Sequence, residues 1–259
     1  MFQWPEEIPY KEYIRLYILE KTLRQFVVFQ LTKISEKWWR RRIPNDVWDK
    51  AEKRKMEEER RLTYSLDLHP IWYVDFGDYV KIITREDNWK DIFKEIFISE
   101  CRFMAAMEML EPIRNKIAHM RPLSVREKKN LDALTEDLLI PIWKVYNTIY
   151  VEKAEKLTKE SMWKEAEQIL KKGYEETRGD PWIAYKLGEL YIHVNKIEEA
   201  RHWLKIAIKY LPLNRYKRFV LQKLREIKNK TKLKMKVCPQ CGNKTQAEHK
   251  FCSMCGFKF

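Results

Sequence analysis

Four cysteines near the C-terminus, in Cys238-Pro-Gln-Cys241-Gly and Cys252-Ser-Met-Cys255-Gly, constrain this chain more than any other feature. Each Cys-x-x-Cys pair can wrap one side of a tetrahedral ion, and the glycine after each second cysteine permits a tight turn. Four soft thiolates leave no coordination position open, so the spacing predicts a structural zinc site. Disulfides are the competing arrangement and are disfavoured inside a cell. A dithiol redox centre would need a strand-helix-strand setting that the flanks lack. His249 is expected to support such a site without ligating it, and Cys101, outside the pattern, is expected to be a small buried apolar residue.

Upstream of the cysteines the chain reads as helix. Its 259 residues include only six glycines and ten prolines, with few alternating patterns and an apolar fraction of 45%. An all-helical body of more than one domain is expected. No apolar run is long enough to span a bilayer, and the start, Met-Phe-Gln-Trp-Pro-Glu-Glu, has no signal-peptide pattern, so a cytoplasmic protein without a membrane partner is expected.

Residues 99–121 carry chemistry on one such helix. Phe103, Met107, Leu110, Ile113, Ile117 and Met120 recur every three or four residues as a buried stripe, Ser99 can cap the start, Pro122 stops the helix, and Pro112 should kink it. The segment ends in Arg114-Asn115-Lys-Ile-Ala-His119. An imidazole can move protons near neutral pH, a guanidinium can grip phosphate, and a carboxamide can orient either. Asn115 and His119 share one face away from the stripe, while Arg114 points about 140° from His119. Two copies about a dimer axis could combine these groups, with small Ala118 allowing close approach.

These residues resemble the signature of the HEPN superfamily of all-helical domains. The runs EKWWRRRIPNDVWDKAEKRKMEEE, YVDFGDYVKII, NWKDIF and LEPIRNKIAHMRPLSVRE occur in the order seen in one HEPN subset, which is also found in a eukaryotic transcript-surveillance endonuclease family. The resemblance spans about residues 10–130. For catalytic members it implies a homodimer that cuts RNA, without metal, by attack of the ribose 2′-hydroxyl on its own phosphate. His119 would then be the general acid or base, Arg114 the phosphate clamp and Asn115 the orienting residue. Some members keep the fold as a binding scaffold without activity. His69, Asp75 and Asp78 lack a second histidine at ligand spacing and are expected to be structural.

A repeat follows. Tyr150, Ala154, Leu157, Ala166, Leu170 and Gly173 recur 34 residues later as Ala184, Gly188, Tyr191, Ala200, Leu204 and Ala207, and Pro212 ends the second copy. A period of 34 with small residues where helices cross is the pattern of a tetratricopeptide repeat. Two copies need a neighbour to stack on, supplied by the preceding domain and a closing helix near 215–228.

Charge is one-sided. Residues 214–259 hold 13 basic against 2 acidic residues, so +11 of the net +14 lies there. In an extended chain, Lys228, Lys230, Lys232, Lys234 and Lys236 would share one face as a track for phosphates. Arg215, Lys217 and Arg218 stand beside Tyr216 and Phe219, rings able to stack on bases. Earlier mixed charge runs, such as 49–61, read as solvated helix.

The expected architecture is therefore mainly α: a HEPN-like helical domain over 1–146, tetratricopeptide-like repeats with a closing helix over 147–229, and a basic arm with a zinc ribbon over 230–259. The ribbon resembles short ones appended to many prokaryotic proteins. The expected function is a metal-independent, homodimeric endoribonuclease, with a protein partner expected on the repeats; the alternative is a non-catalytic RNA- or protein-binding scaffold or adaptor.

Overall fold

The computed structural model describes residues 10–61, 67–97, 99–211, 214–233, 235–246 and 249–259, and Pro212 and Lys234 lie outside them. Helix α1 (Tyr10–Ile34) forms the spine, burying Leu16, Leu19, Leu23, Phe26, Val27 and Leu31 on one side. Helix α2 (Trp38–Arg41) and helix α3 (Asn45–Arg61) follow, then a 3-10 turn at Pro70–Tyr73, helix α4 (Asp78–Ile83) and helix α5 (Glu86–Asp91). Asn88 ties these short elements together. Fully buried, it donates to the carbonyls of Arg42 at 2.8 Å and Ile82 at 2.7 Å, pairing backbone acceptors that would otherwise be stranded.

Helix α6 (Glu100–Ala118) and helix α7 (Val125–Tyr146) complete the first bundle. Ser99 caps α6 by accepting from Arg102 N at 3.1 Å, and the helix continues through Pro112. Ser124 and Glu127 form a reciprocal capping box on α7. Helices α1 and α7 run parallel. Lys128 lies 3.6 Å from Glu12 at their starts, and Phe26 meets the Tyr146 ring edge-on at 5.7 Å near their ends.

Helix α7 continues through a π turn (Asn147–Val151) into helix α8 (Glu152–Lys159), then helices α9 (Trp163–Glu176), α10 (Pro181–His193), α11 (Ile197–Tyr210) and α12 (Asn214–Leu233). The small residues of the repeat sit where helices touch. A Cβ on Gly173 would come within 2.7 Å of the Tyr150 ring, and one on Gly188 within 2.7 Å of Leu204. Four helix ends use one turn, with Met120, Ser161, Arg178 and Asn195 at φ of 54°, 61°, 51° and 58°. The next amide closes each helix: Arg121 N to Lys116 O at 2.7 Å, Met162 N to Leu157 O at 2.8 Å, Gly179 N to Tyr174 O at 2.7 Å, and Lys196 N to Tyr191 O at 2.9 Å.

The repeat helices lean on the first bundle through aromatic rings. Trp143 stacks on Trp182 at 6.3 Å, and Tyr216 meets both edge-on at 5.4 and 5.5 Å. Gln25 of α1 donates to Arg178 O at 3.3 Å. The chain ends in strands β1 (Met235–Val237) and β2 (Lys244–Gln246), antiparallel in register Met235↔Gln246, with a further bridge Phe251↔Lys258. Among the described residues no helix is long and apolar enough to cross a membrane.

Three expectations are corrected. Met120 is 67% exposed because α6 ends at Ala118 and the left-handed turn throws it out of the stripe. Cys101 is exposed, since the first turn of α6 buries Phe103 and leaves its neighbours toward solvent. The backbone at 228–233 is helical rather than extended, so alternate residues turn by about 200° and do not form a single lysine row.

Candidate functional site

The C-terminal turn of α6 positions the motif. Ile113 and Ile117 are buried against the bundle, which fixes the helix's rotation and leaves Asn115 and His119 exposed and Arg114 half-buried. His119 stands one residue beyond the helix, at φ −98° and ψ 18°, its amide bonded to Asn115 O at 3.1 Å. His119 as a whole is exposed, and no hydrogen bond to its imidazole occurs among the described residues.

Arg114 is braced from two sides. Its Nε donates to Glu20 Oε1 at 3.1 Å, and a terminal nitrogen donates to Asn115 Oδ1 at 3.3 Å. Nothing in the sequence pointed to Glu20, 94 residues away, because the contact exists only once α1 packs beside α6. Arg114 and Asn115 line an open cavity of about 440 Å³ with Asp75, Asp78, Lys81 and Glu111, whereas His119 does not line it. The structure thus brings Arg114 and Asn115 together on one cavity, whereas His119, expected on the face of Asn115, stands one residue past the helix and outside it. Carboxylates outnumber cations in that cavity. Asp75 is paired with Arg54 at 2.5 Å, and Asp78 lies 3.8 Å from Lys50 and 3.6 Å from Lys81.

His69 is structural. Its ring stacks on Trp38 at 5.3 Å, meets Trp39 edge-on at 5.1 Å, and accepts from Ile71 N at 3.2 Å; burial lowers its pKa.

The basic C-terminal segment is divided by its structure. Lys217 is half-buried, while Arg218 and Lys228 are exposed. Tyr216 is taken into the aromatic seam, so of the two rings proposed for stacking only Phe219, 54% exposed, stays open to a base. Lys236, in β1, lies over the Phe259 ring at 3.9 Å. Arg215, Lys230 and Lys232 have described backbone only.

The four C-terminal thiols converge. The sulfurs of Cys238, Cys241, Cys252 and Cys255 all lie within 4.8 Å of one another, with Cys238–Cys255 and Cys241–Cys252 each at 3.5 Å. A tetrahedral ion with sulfurs at about 2.3 Å requires sulfur separations of about 3.8 Å, so the cage fits a metal. Two equivalent knuckles build it. Cys238 N donates to Asn243 O at 2.8 Å and Gly242 N to Cys238 O at 2.9 Å; Cys252 N donates to Phe257 O at 2.7 Å and Gly256 N to Cys252 O at 2.9 Å. Both glycines take a left-handed φ, 70° and 72°. The amides of Cys255 and Met254 lower the Cys252 thiol, while Cys255 and Cys241, crowded by burial and the neighbouring sulfurs, are raised. His249 Nδ1 sits 3.2 Å from Thr245 Oγ1 of β2 and is not among the four clustered ligands.

Comparison with known families gives two findings. Residues 15–142 match the model of the Swt1-like HEPN family, and residues 157–222 match that of the tetratricopeptide repeat. No curated protein and no solved structure matches the chain.

Proposed function

We propose, for a chain whose residues 15–142 are a Swt1-like HEPN domain followed by a tetratricopeptide segment and a four-cysteine ribbon, a metal-independent endoribonuclease that works as a homodimer. The observation that carries this reading is the intact Arg-Asn-x-x-x-His sequence at the open end of α6, with an exposed His119 and a guanidinium held still by Glu20 and Asn115.

The chemistry needs a base for the ribose 2′-hydroxyl, an acid for the leaving oxygen, and positive charge beside phosphorus as it becomes five-coordinate. His119 supplies proton transfer and Arg114 the charge. Bracing Arg114 limits the rotamer freedom lost on gripping phosphate. Because Arg114 lines a cavity that His119 does not, the second copy brings the complementary groups, and exposed Ala118 lets two α6 ends approach. The cysteine cage takes zinc as a structural ion, fixing the ribbon at the end of a basic helix that meets RNA through Arg218, Lys228 and its neighbours. The repeats offer a protein-binding surface.

One observation favours the alternative of a non-catalytic scaffold: Arg114 is already ion-paired, in a cavity richer in carboxylates than in cations. Mixing His119→Ala with Arg114→Ala protein separates the readings. Restored RNA cleavage identifies a composite site between subunits; a parent protein that is dimeric and cuts no RNA across a broad panel leaves the scaffold.

A further inference from the structure

We propose that the seam between the helical domain and the repeats is a second phosphate-binding cleft for single-stranded RNA, completed by the repeat segment itself. This rests on reading the chain as a protein that acts on RNA. It assigns part of the repeat to substrate binding.

The cleft, of about 350 Å³, is walled by Lys11 and Arg15 of α1, Lys128 of α7, Lys209 of α11 and Lys217 of α12. Only two carboxylates share it. Asp132 pairs with Arg15, and Glu12 lies 3.6 Å from Lys128, so Lys11, Lys209 and Lys217 have no carboxylate partner among the described residues. Lys217 is half-buried, and burial together with the like charges of Arg15 and Lys11 lowers its pKa. Lys209 instead rests on the Tyr210 ring and hydroxyl, which raise its pKa. With five cations against two carboxylates the cleft keeps a net positive charge, which an anion relieves.

The backbone contributes in the same direction. Lys11, Lys128 and Lys217 stand in the first turns of α1, α7 and α12, so three helix N-termini, each with a partial positive charge, meet at the cleft. The place is also informative. Lys128 follows His119 by nine residues, across the short connection from α6 to α7, and Lys116 of α6 reaches Glu127 at 2.6 Å over that connection. The cleft therefore opens at the end of the bundle where the motif lies. A strand with its scissile phosphate at His119 has adjoining phosphates to place, and this is the cationic hollow beside it.

The test uses the full chain with Lys11, Lys209 and Lys217 all changed to Gln, leaving the C-terminal arm intact. Fluorescence anisotropy with a labelled single-stranded RNA of about 12 nucleotides, a length one groove can hold, is measured against salt. Losing three phosphate contacts should lower the slope of log affinity against log salt by about 2, at roughly 0.7 per contact, with the thermal midpoint retained. Glu12→Gln should act in the opposite sense, tightening binding by removing a carboxylate, and this remains readable if the triple variant folds poorly. Unchanged slopes in both variants overturn the proposal, as does polyglutamate displacing the RNA as well as unlabelled RNA does. Binding is the readout, so a parent that shows these slopes but cuts nothing removes the nuclease and keeps the cleft. A parent that cuts, with slopes indifferent to the lysines, does the reverse.

Discussion

Asp180 is fully buried where the repeats meet the first bundle, and its replacement by Asn should stabilise the protein in a pH-dependent way. One carboxylate oxygen caps α10, accepting from Trp182 N at 2.9 Å and Ile183 N at 3.2 Å. Burial raises the carboxyl to about 6 against these amides, the Trp143 indole N–H and the charge of Lys21. Because the folded value lies above the unfolded 3.8, the folded state binds the proton more tightly, and stability falls as pH rises from about 4 to about 6. Above that window the cost is complete, at about 3 kcal/mol. Asn keeps the cap and never carries the charge. Relative to the parent, Asp180→Asn should therefore gain about 2.5 kcal/mol more at pH 7.5 than at pH 4, roughly 5–10 °C in thermal midpoint for a chain of this size. Circular dichroism melts of both proteins at both pH values measure the difference, and protonation of other groups cancels between them. An equal increment at the two pH values would refute a buried ionised Asp180.

The remaining predictions test packing and the metal site. Removing metal with a chelator should unfold the ribbon alone, leaving the far-ultraviolet helical signal nearly intact, because the ribbon has no core of its own; collapse of the whole spectrum would contradict this. A thiol reagent should label one cysteine per chain rapidly, exposed Cys101, and the other four only after chelation. Gly188→Val should cost about 1–3 kcal/mol, since its side chain must displace Leu204 from a 2.7 Å approach; an unchanged urea midpoint would count against that packing. Ser99→Ala should cost about 1 kcal/mol by removing the α6 cap.

Periodicity made the helices legible, and spacing made the metal cage legible, because both are local rules. The stripe from Phe103 to Ile117, the Ser99 cap and the 34-residue repeat all stand in the fold as their side chains dictate. Met120 and Cys101 were misread for one reason: helix ends and first turns escape the burial that the periodic pattern implies. The lysine row failed because alternation alone does not distinguish an extended arm from a basic helix, and α12 carries on to Leu233. Glu20 beside Arg114, and the gathering of Lys11, Lys128, Lys209 and Lys217, are products of tertiary packing between segments up to about two hundred residues apart in the chain, with no local signal to read.

The central claim rests on His119. Purified parent and His119→Ala protein, incubated with single-stranded RNA without added divalent ions, should differ in cleavage rate by at least about a hundredfold, the scale of a lost general acid-base. The parent's products should end in a 2′,3′-cyclic phosphate, and DNA of the same sequence should stay whole. Equal cleavage by the His119→Ala protein, or products carrying a 3′-hydroxyl, would contradict the account.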